Sequence, residues 1–286
     1  MSPPEMVSDF GALNAPDLGF PAQDADAAPA RGRGTTRILL WDLPLRVFHW
    51  SLVATVTAAI VTGEIGGPWM VWHGRAGLTI VGLLVFRVVW GVVGSPTSRF
   101  ANFAPSPRKV VRYLRGQWRG VGHNPLGALS VFALLGLLAL QAGTGLFGND
   151  DIAFTGPLNH LVDDSLGGRL TGWHRLLANA LFVLMGLHLC AIAFYTGIKR
   201  HKLVKPMISG VHDVEAGTPL PAPARQGGSW ALPLAVTLAA AGVLAIARAG
   251  PGAGPAPAPE ATPPVPAAAK TPAAKAAPGT TAAPSW

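Results

Sequence analysis

Cysteine and charge are both scarce in this chain of 286 residues. Its one cysteine, Cys190, excludes a disulfide framework, an iron–sulfur cluster held by cysteines, and a c-type haem, which needs a C-x-x-C-H motif. Only 13% of the residues are charged, whereas half are hydrophobic. This composition indicates an integral membrane protein.

Five apolar stretches are long enough to cross a bilayer, at residues 44–65, 70–93, 125–147, 171–197 and 229–247. They predict an all-α integral membrane protein, with a four-helix transmembrane bundle and a fifth, C-terminal transmembrane helix. No cleavable signal peptide is recognisable before the first stretch, which we expect to act as an uncleaved signal anchor.

The remaining segments are polar or of low complexity. We expect a disordered N-terminus at 1–36, a membrane domain at 37–208, a linker at 209–228 and a Pro/Ala-rich tail at 250–286. Residues 35–47 are predicted to form an amphipathic lead-in at the membrane surface.

Lysine and arginine lie in alternate connections. The N-terminal segment and residues 95–122 and 198–228 are basic, whereas 148–170 holds four aspartates and one arginine. The positive-inside rule therefore predicts a bacterial inner-membrane protein with a cytoplasmic N-terminus and a periplasmic tail. Because topology accounts for the net charge of +8, we expect no nucleic-acid partner.

Two histidines, His174 and His188, lie fourteen residues apart in the fourth stretch. At about 100° and 1.5 Å per residue, both leave one helix face, roughly 21 Å apart along the axis. Imidazoles are rare in a lipid-spanning helix unless something binds them. Two haems at different depths, each with one ligand from this helix, would account for the spacing.

Matching histidines occur in the first two stretches. His49 lies near the start of the first, and His73 lies near the start of the second. If the first and fourth helices are antiparallel, His49 meets His188 toward the cytoplasm and His73 meets His174 toward the outside. With no attachment motif for a c-type haem, these four histidines are predicted to bind two b haems. For any one histidine, packing or helix capping is the alternative.

Three arginines are candidates for binding haem propionates, which are carboxylates. Arg87 follows His73 by fourteen residues and falls at the level of the cytoplasmic haem. Its alternative role is to reach toward lipid headgroups. Arg46 and Arg75 lie close to His49 and His73, and their alternative is an interfacial position.

Two glycines are predicted to border the haems. Gly63 follows His49 by fourteen residues, at the level of the outer haem, where a missing side chain would let the macrocycle approach. Gly77 lies on the same helix face as His73.

Other histidines fit ligation less well. His123, just before the third stretch, is predicted not to be a ligand, although a cap or a propionate or quinone contact stays open. His160 precedes His174 by fourteen residues, but Gly167, Gly168 and Gly172 are expected to interrupt any helix joining them.

The motifs VFHW, WHGRAGL, FRVVWGVVGSPTSRF, GHNPLGAL and TGWHRLLAN…GLH resemble the bacterial cytochrome b-561 and nickel–iron hydrogenase cytochrome b subunit family. The resemblance covers roughly residues 37–208. It implies four helices that bind two b haems through histidines of helices one, two and four, which correspond to His49, His73, His174 and His188. The N-terminus, the fifth span and the tail depart from the minimal family pattern.

These observations favour transmembrane electron transfer by a dihaem b-type cytochrome. It would link a quinone pool to a redox partner such as a hydrogenase, a dehydrogenase or cytochrome c. The alternatives are a non-redox membrane anchor or docking subunit and a transporter with histidine and arginine relays. No dedicated catalytic residues are visible, so activity as a stand-alone quinone oxidoreductase stays open. Residues 148–170 are expected to dock the partner or to cover the outer haem.

Overall fold

The computed structural model of the chain describes residues 35–118, 120, 122–152, 154–215 and 228–250. Of the segment predicted to be disordered, 1–36, residues 1–34 lie outside the described residues, as does the tail beyond 250. Residues 35 and 36 are ordered, because they belong to strand β1. In chain order the elements are β1 Thr35–Leu39, α1 Leu43–Ile65, α2 Met70–Val93, α3 Phe100–Phe103, α4 Pro107–Leu114, α5 Pro125–Phe147, α6 Asp164–Ala193, α7 Val204–Ser209, β2 Val211–Glu215 and α8 Ala231–Ala249. Helices α1, α2, α5, α6 and α8 are long and apolar enough to span a membrane, which confirms the predicted fold class.

Helices α1 and α2 form a tight antiparallel pair. The Asp42 side chain caps α1 by accepting from the Leu45 backbone N–H at 2.7 Å. At the other end, Gly66 and Gly67 have φ of +68° and +53°, values that favour glycine. This turn brings the start of α2 back against the end of α1.

Helix α6 begins earlier than the predicted start at residue 171. Asp163 caps it by accepting from the Leu166 N–H at 2.9 Å, and the helix continues through Gly167 and Gly172. The expectation that these glycines interrupt a helix was therefore wrong. His160 is nevertheless off the helix, because it lies in a short 3₁₀ turn before Asp163.

The middle of the bundle is an apolar layer shared by four helices. Its buried residues are Val56, Ala59, Ala76, Ile80, Leu138 and Leu181, from α1, α2, α5 and α6. Helix α8 packs outside this layer along α2, with Ala231 and Ala235 fully buried against Trp90. The described bundle thus has four central helices and a fifth on the flank of α2.

The bundle has two chemically different ends. At one end, which we call the acidic end, α1 ends, α2 begins and the 148–163 loop lies. At the other, which we call the basic end, α1 begins and α2 and α6 end.

A two-stranded sheet at the basic end was not predicted. Strand β1 pairs antiparallel with β2, from Thr35 opposite Glu215 to Leu39 opposite Val211. Residues 35–39 had been assigned to an amphipathic lead-in, and 211–215 to a linker. Val214 of β2 is buried, and an exposed Arg37–Asp213 ion pair of 3.3 Å also joins the strands.

Candidate functional site

The acidic end brings His73 and His174 together. His73 lies in the first turn of α2 and His174 in α6, and their ring centroids are 6.0 Å apart with planes 83° apart. Both rings line a cavity of about 460 Å³. Cofactor pockets have volumes of about 300–1,000 Å³, so this cavity is in the right range.

Neighbouring helices fix the orientation of both rings. His73 Nδ1 lies 2.8 Å from the Ala59 carbonyl of α1, and His174 Nδ1 lies 2.9 Å from the Gln141 carbonyl of α5. Because a carbonyl only accepts, each Nδ1 must carry the proton. Each Nε2 then carries the lone pair that a metal needs. The Nε2 of His174 accepts a hydrogen bond from the Gln141 side-chain amide at 3.0 Å, which a metal would have to displace.

Glycines make room for these rings. A Cβ at Gly63 would lie 2.9 Å from His73 Nδ1, and a Cβ at Gly145 would lie 2.9 Å from His174 Cε1. Gly77 also lines the cavity, and a Cβ there would meet nothing within 4 Å. Gly63 and Gly77 had been singled out from the sequence, whereas Gly145 had not.

At the basic end, His49 of α1 lies within electrostatic range of His188 of α6. The Nδ1 of His49 is buried and has no hydrogen-bond partner among the described residues. The Nδ1 of His188 lies 3.5 Å from the Ser130 hydroxyl of α5, at the limit of a hydrogen bond. The basic-end pair therefore has weaker support than the acidic-end pair.

Arg87 is enclosed by protein at the basic end. Its side chain is 2% exposed, its Nη1 donates to the Ser98 carbonyl at 3.2 Å, and its Cζ lies 4.3 Å from the centre of the Phe100 ring. The alternative that it reaches lipid headgroups is therefore wrong.

A buried carboxylate next to Arg87 escaped the sequence analysis. Asp42 accepts hydrogen bonds from Trp90 Nε1 at 3.1 Å, from the Ser98 hydroxyl at 2.7 Å and from the Ser95 hydroxyl. It also attracts Arg87 electrostatically. An aspartate just before Leu-Pro is a local signal for a helix cap, but nothing local points to partners about 50 residues away.

The other predicted arginines have specific contacts. Arg46 donates to the Ile208 carbonyl of α7, and its buried Nε has no partner among the described residues. The exposed Arg75 lies over Trp72, with 4.7 Å from its Cζ to the ring centre. Arg175, which the sequence analysis did not consider, lines the acidic-end cavity. Its position directly after His174 was the available signal.

His123 lies in an aromatic stack at the basic end. Its ring centroid is 4.6 Å from that of Trp41 and 4.6 Å from that of Phe103. Burial, with a contribution from the Arg87 charge, lowers the pKa of His123 to about 4. His123 is therefore neutral near pH 7.

The 148–163 loop covers the acidic-end pair. The Phe154 and His73 ring centroids are 6.2 Å apart, and a Cβ at Gly74 would lie 2.7 Å from the Phe154 ring. At the loop tip, Ile152 is 93% exposed. The loop thus contacts the site and also presents an exposed apolar side chain.

The acidic-end histidines fit a haem better than a bare metal ion. The described residues contain no cluster of three or more His, Cys, Asp or Glu side chains that could hold an ion alone. A metal bound about 2 Å from one nitrogen of each of two imidazoles places their ring centres roughly 6 Å apart. The observed separation of 6.0 Å agrees with this estimate.

Facing imidazoles beside a cavity, inside an apolar membrane bundle, are typical of membrane cytochromes of the b type. The family model described as prokaryotic cytochrome b561 matches residues 40–210. The chain therefore belongs to the prokaryotic cytochrome b561 family, as a multi-pass membrane protein of electron transport that binds haem b.

Several curated relatives are similar over most of their length. A probable Ni/Fe-hydrogenase B-type cytochrome subunit of Bradyrhizobium diazoefficiens is 26% identical over 236 residues, which cover 68% of this chain and 93% of the relative. A probable Ni/Fe-hydrogenase 1 B-type cytochrome subunit of Escherichia coli K12 is 25% identical over 176 residues, 48% of this chain and 74% of the relative. No solved structure matches the chain.

Proposed function

We propose that this chain is a dihaem conduit that carries electrons across the membrane between a nickel–iron hydrogenase and the quinone pool. Residues 37–208 form the dihaem domain, with one b haem held by His73 and His174 and the other by His49 and His188. The observation that carries the proposal is the placement of two histidine pairs at opposite ends of one bundle, with α6 contributing to both.

The acidic-end site has the stronger support. Its two rings point protonated Nδ1 atoms at backbone carbonyls, which leaves each Nε2 as the metal-binding nitrogen. At His174 a bound iron would replace the Gln141 amide as the partner of Nε2. A bound haem supplies a one-electron carrier here, and the protein holds its ligands in place. Arg175 lines the cavity and is proposed to bind a propionate. Arg75 is a weaker candidate, because it lies over Trp72.

The basic-end site rests on the proximity of His49 to His188 and on the charges around it. Arg87 and Arg46 are the proposed propionate partners at this end. Each guanidinium group already donates to a backbone carbonyl, so each would have to bind that carbonyl and a propionate together. The apolar layer of Val56, Ile80 and Leu181 lies between the two pairs. It keeps water out of the path between them.

The orientation and partners follow from charge and location. The basic end is proposed to face the cytoplasm, by the positive-inside rule. The relatives named as hydrogenase subunits suggest a hydrogenase as the partner at the acidic, outer end. Because His49 and His188 lie inside membrane spans, a lipid-soluble quinone is the proposed partner at the basic end. The proposal assigns no role to the fifth helix or to the tail.

The test is electron transfer across a sealed vesicle. The full-length haem-loaded protein is reconstituted with ferricyanide trapped inside, and a quinol is added outside. Each quinol releases two electrons and two protons, and should reduce two ferricyanide ions when the protein is present.

His188→Ala should abolish this transfer, whereas His160→Ala, which changes a histidine outside the helices, should retain it. A wild-type protein that carries haem but gives no transfer above that of empty vesicles would contradict the conduit and favour an anchoring subunit.

A further inference from the structure

A second cavity, of about 400 Å³, lies at the basic end just after α6. We call it the basic cavity. Four cations line it, from Lys199, Arg200, Lys202 and Lys205, together with His201 and His212. None of these residues belongs to the proposed haem sites.

The backbone holds these cations together. Arg200 has φ of +55°, in the left-handed region that non-glycine residues rarely adopt. Past it, the His201 N–H donates to the Tyr195 carbonyl and the Leu203 N–H donates to the His201 carbonyl, both at 2.9 Å. The chain therefore folds back on the end of α6 instead of extending away, and the like charges surround one hollow.

The basic cavity has one acidic residue, and that residue is already paired. Asp213 is the acidic residue that lines it, and its carboxylate pairs with Arg37 at 3.3 Å. Within the described part of the chain, none of the four cations forms an ion pair. Four positive charges around a hollow that has no free carboxylate favour an anionic ligand.

Exposed apolar side chains that are close in sequence to the cavity residues indicate what kind of anion the cavity takes. A π-helical turn, Phe194–Ile198, extends the α6 span, and Ile198 at its end is 71% exposed. Ile208 of α7 is 61% exposed. Leu203 and Val204 between them are also exposed. A ligand with an anionic head and an apolar body would meet the charges and these side chains at once.

We propose that the basic cavity binds the phosphate headgroup of an anionic phospholipid, with the acyl chains lying along the exposed residues at the end of α6. The lipid would tie the end of α6 to the bilayer at the basic end.

The test compares two variants with the same loss of charge. Lys199→Gln, Arg200→Gln, Lys202→Gln and Lys205→Gln together remove the cavity cations. Arg108→Gln, Lys109→Gln, Arg112→Gln and Arg115→Gln remove four exposed charges on and just after α4, at the same end. The full-length proteins are purified from bilayers of phosphatidylcholine and phosphatidylglycerol, and retained phosphatidylglycerol is measured through successive detergent washes.

The wild type and the α4 variant should retain phosphatidylglycerol, and the cavity variant should lose it. Each removed charge near the surface should weaken retention about fivefold, so the single variants Lys202→Gln and Lys205→Gln provide the test if the fourfold variant does not fold. Equal retention by the wild type and all cavity variants would overturn the proposal. So would equal loss in the α4 variant, or displacement of the lipid by inorganic phosphate, which would indicate a site for free anions.

Discussion

The two histidine pairs occupy opposite ends of one bundle, but the protein holds them differently. At the acidic end, His73 and His174 each place Nδ1 within 2.9 Å of a carbonyl from a neighbouring helix. At the basic end, His49 Nδ1 has no partner among the described residues, and His188 Nδ1 is 3.5 Å from a hydroxyl.

This difference has a consequence for electron transfer. An imidazole that donates from Nδ1 is a more basic ligand, and a more basic ligand favours oxidised iron. The buried cation of Arg87 near the basic end disfavours oxidised iron there, and the neighbouring Asp42 carboxylate reduces this effect. If the two proposed haems bind as assigned, the acidic-end haem should have the lower potential. Electron flow from the acidic to the basic end would then be downhill.

The largest effect is expected from a substitution that fills the acidic-end cavity, compared with the same substitution elsewhere in the bundle. Gly77→Leu would place a side chain in the acidic-end cavity and should reduce the haem content from two to one per chain. Gly136→Leu is the matched control, because a Cβ at exposed Gly136 in α5 also meets nothing within 4 Å but does not line the cavity. Haem content is measured as the pyridine complex, and equal content in both variants would show that the cavity is not a haem site.

A smaller effect, on redox potential, is expected when the buried Arg87 loses its charge. Arg87→Gln should lower the potential of the proposed basic-end haem, because a positive charge at that end of the bundle is lost, and leave the acidic-end haem unchanged. An interaction of about 1 kcal/mol corresponds to roughly 40 mV for a one-electron couple. Redox titration of this variant beside Arg75→Gln, which changes an exposed arginine at the other end, measures the shift. A fall of both potentials together would indicate a general effect on the fold.

A third effect concerns pH and is again confined to the basic end. The folded protein keeps the pKa of His123 near 4, whereas the unfolded chain takes up a proton near the ordinary value of 6.5. The free energy of unfolding should therefore fall as the pH decreases from 6.5 toward 4, and His123 should make no such contribution above that range. Thermal unfolding at pH 7 and pH 5 should show a smaller decrease for His123→Gln than for wild type or His160→Gln. Equal decreases in unfolding temperature for all three proteins would show that His123 does not cause the pH dependence of stability.

The helices and the histidine pairs could be predicted because they depend on local spacing. Fourteen residues along a helix fix the face and the rise whatever surrounds it. Capping by Asp163 is also local, but the glycines at 167, 168 and 172 concealed it. Glycine lowers helix propensity without forbidding a helix, since packing can override it.

Contacts between distant parts of the chain could not be predicted. The ion pair between β1 and β2 joins residues 176 positions apart, and Asp42 meets Ser98 across 56 positions. The carbonyls that orient His73 and His174 come from other helices, and their choice depends on how the helices pack. Periodicity therefore places the histidines, but only packing identifies what holds their rings.

The most direct test of the account is haem content and redox titration of four single variants. The wild type should contain two haems with two potentials. His73→Ala and His174→Ala should each lose the lower-potential haem, and His49→Ala and His188→Ala should each lose the higher-potential one. Two intact potentials in any of the four variants, or a single haem in the wild type, would contradict the assignment of the two pairs.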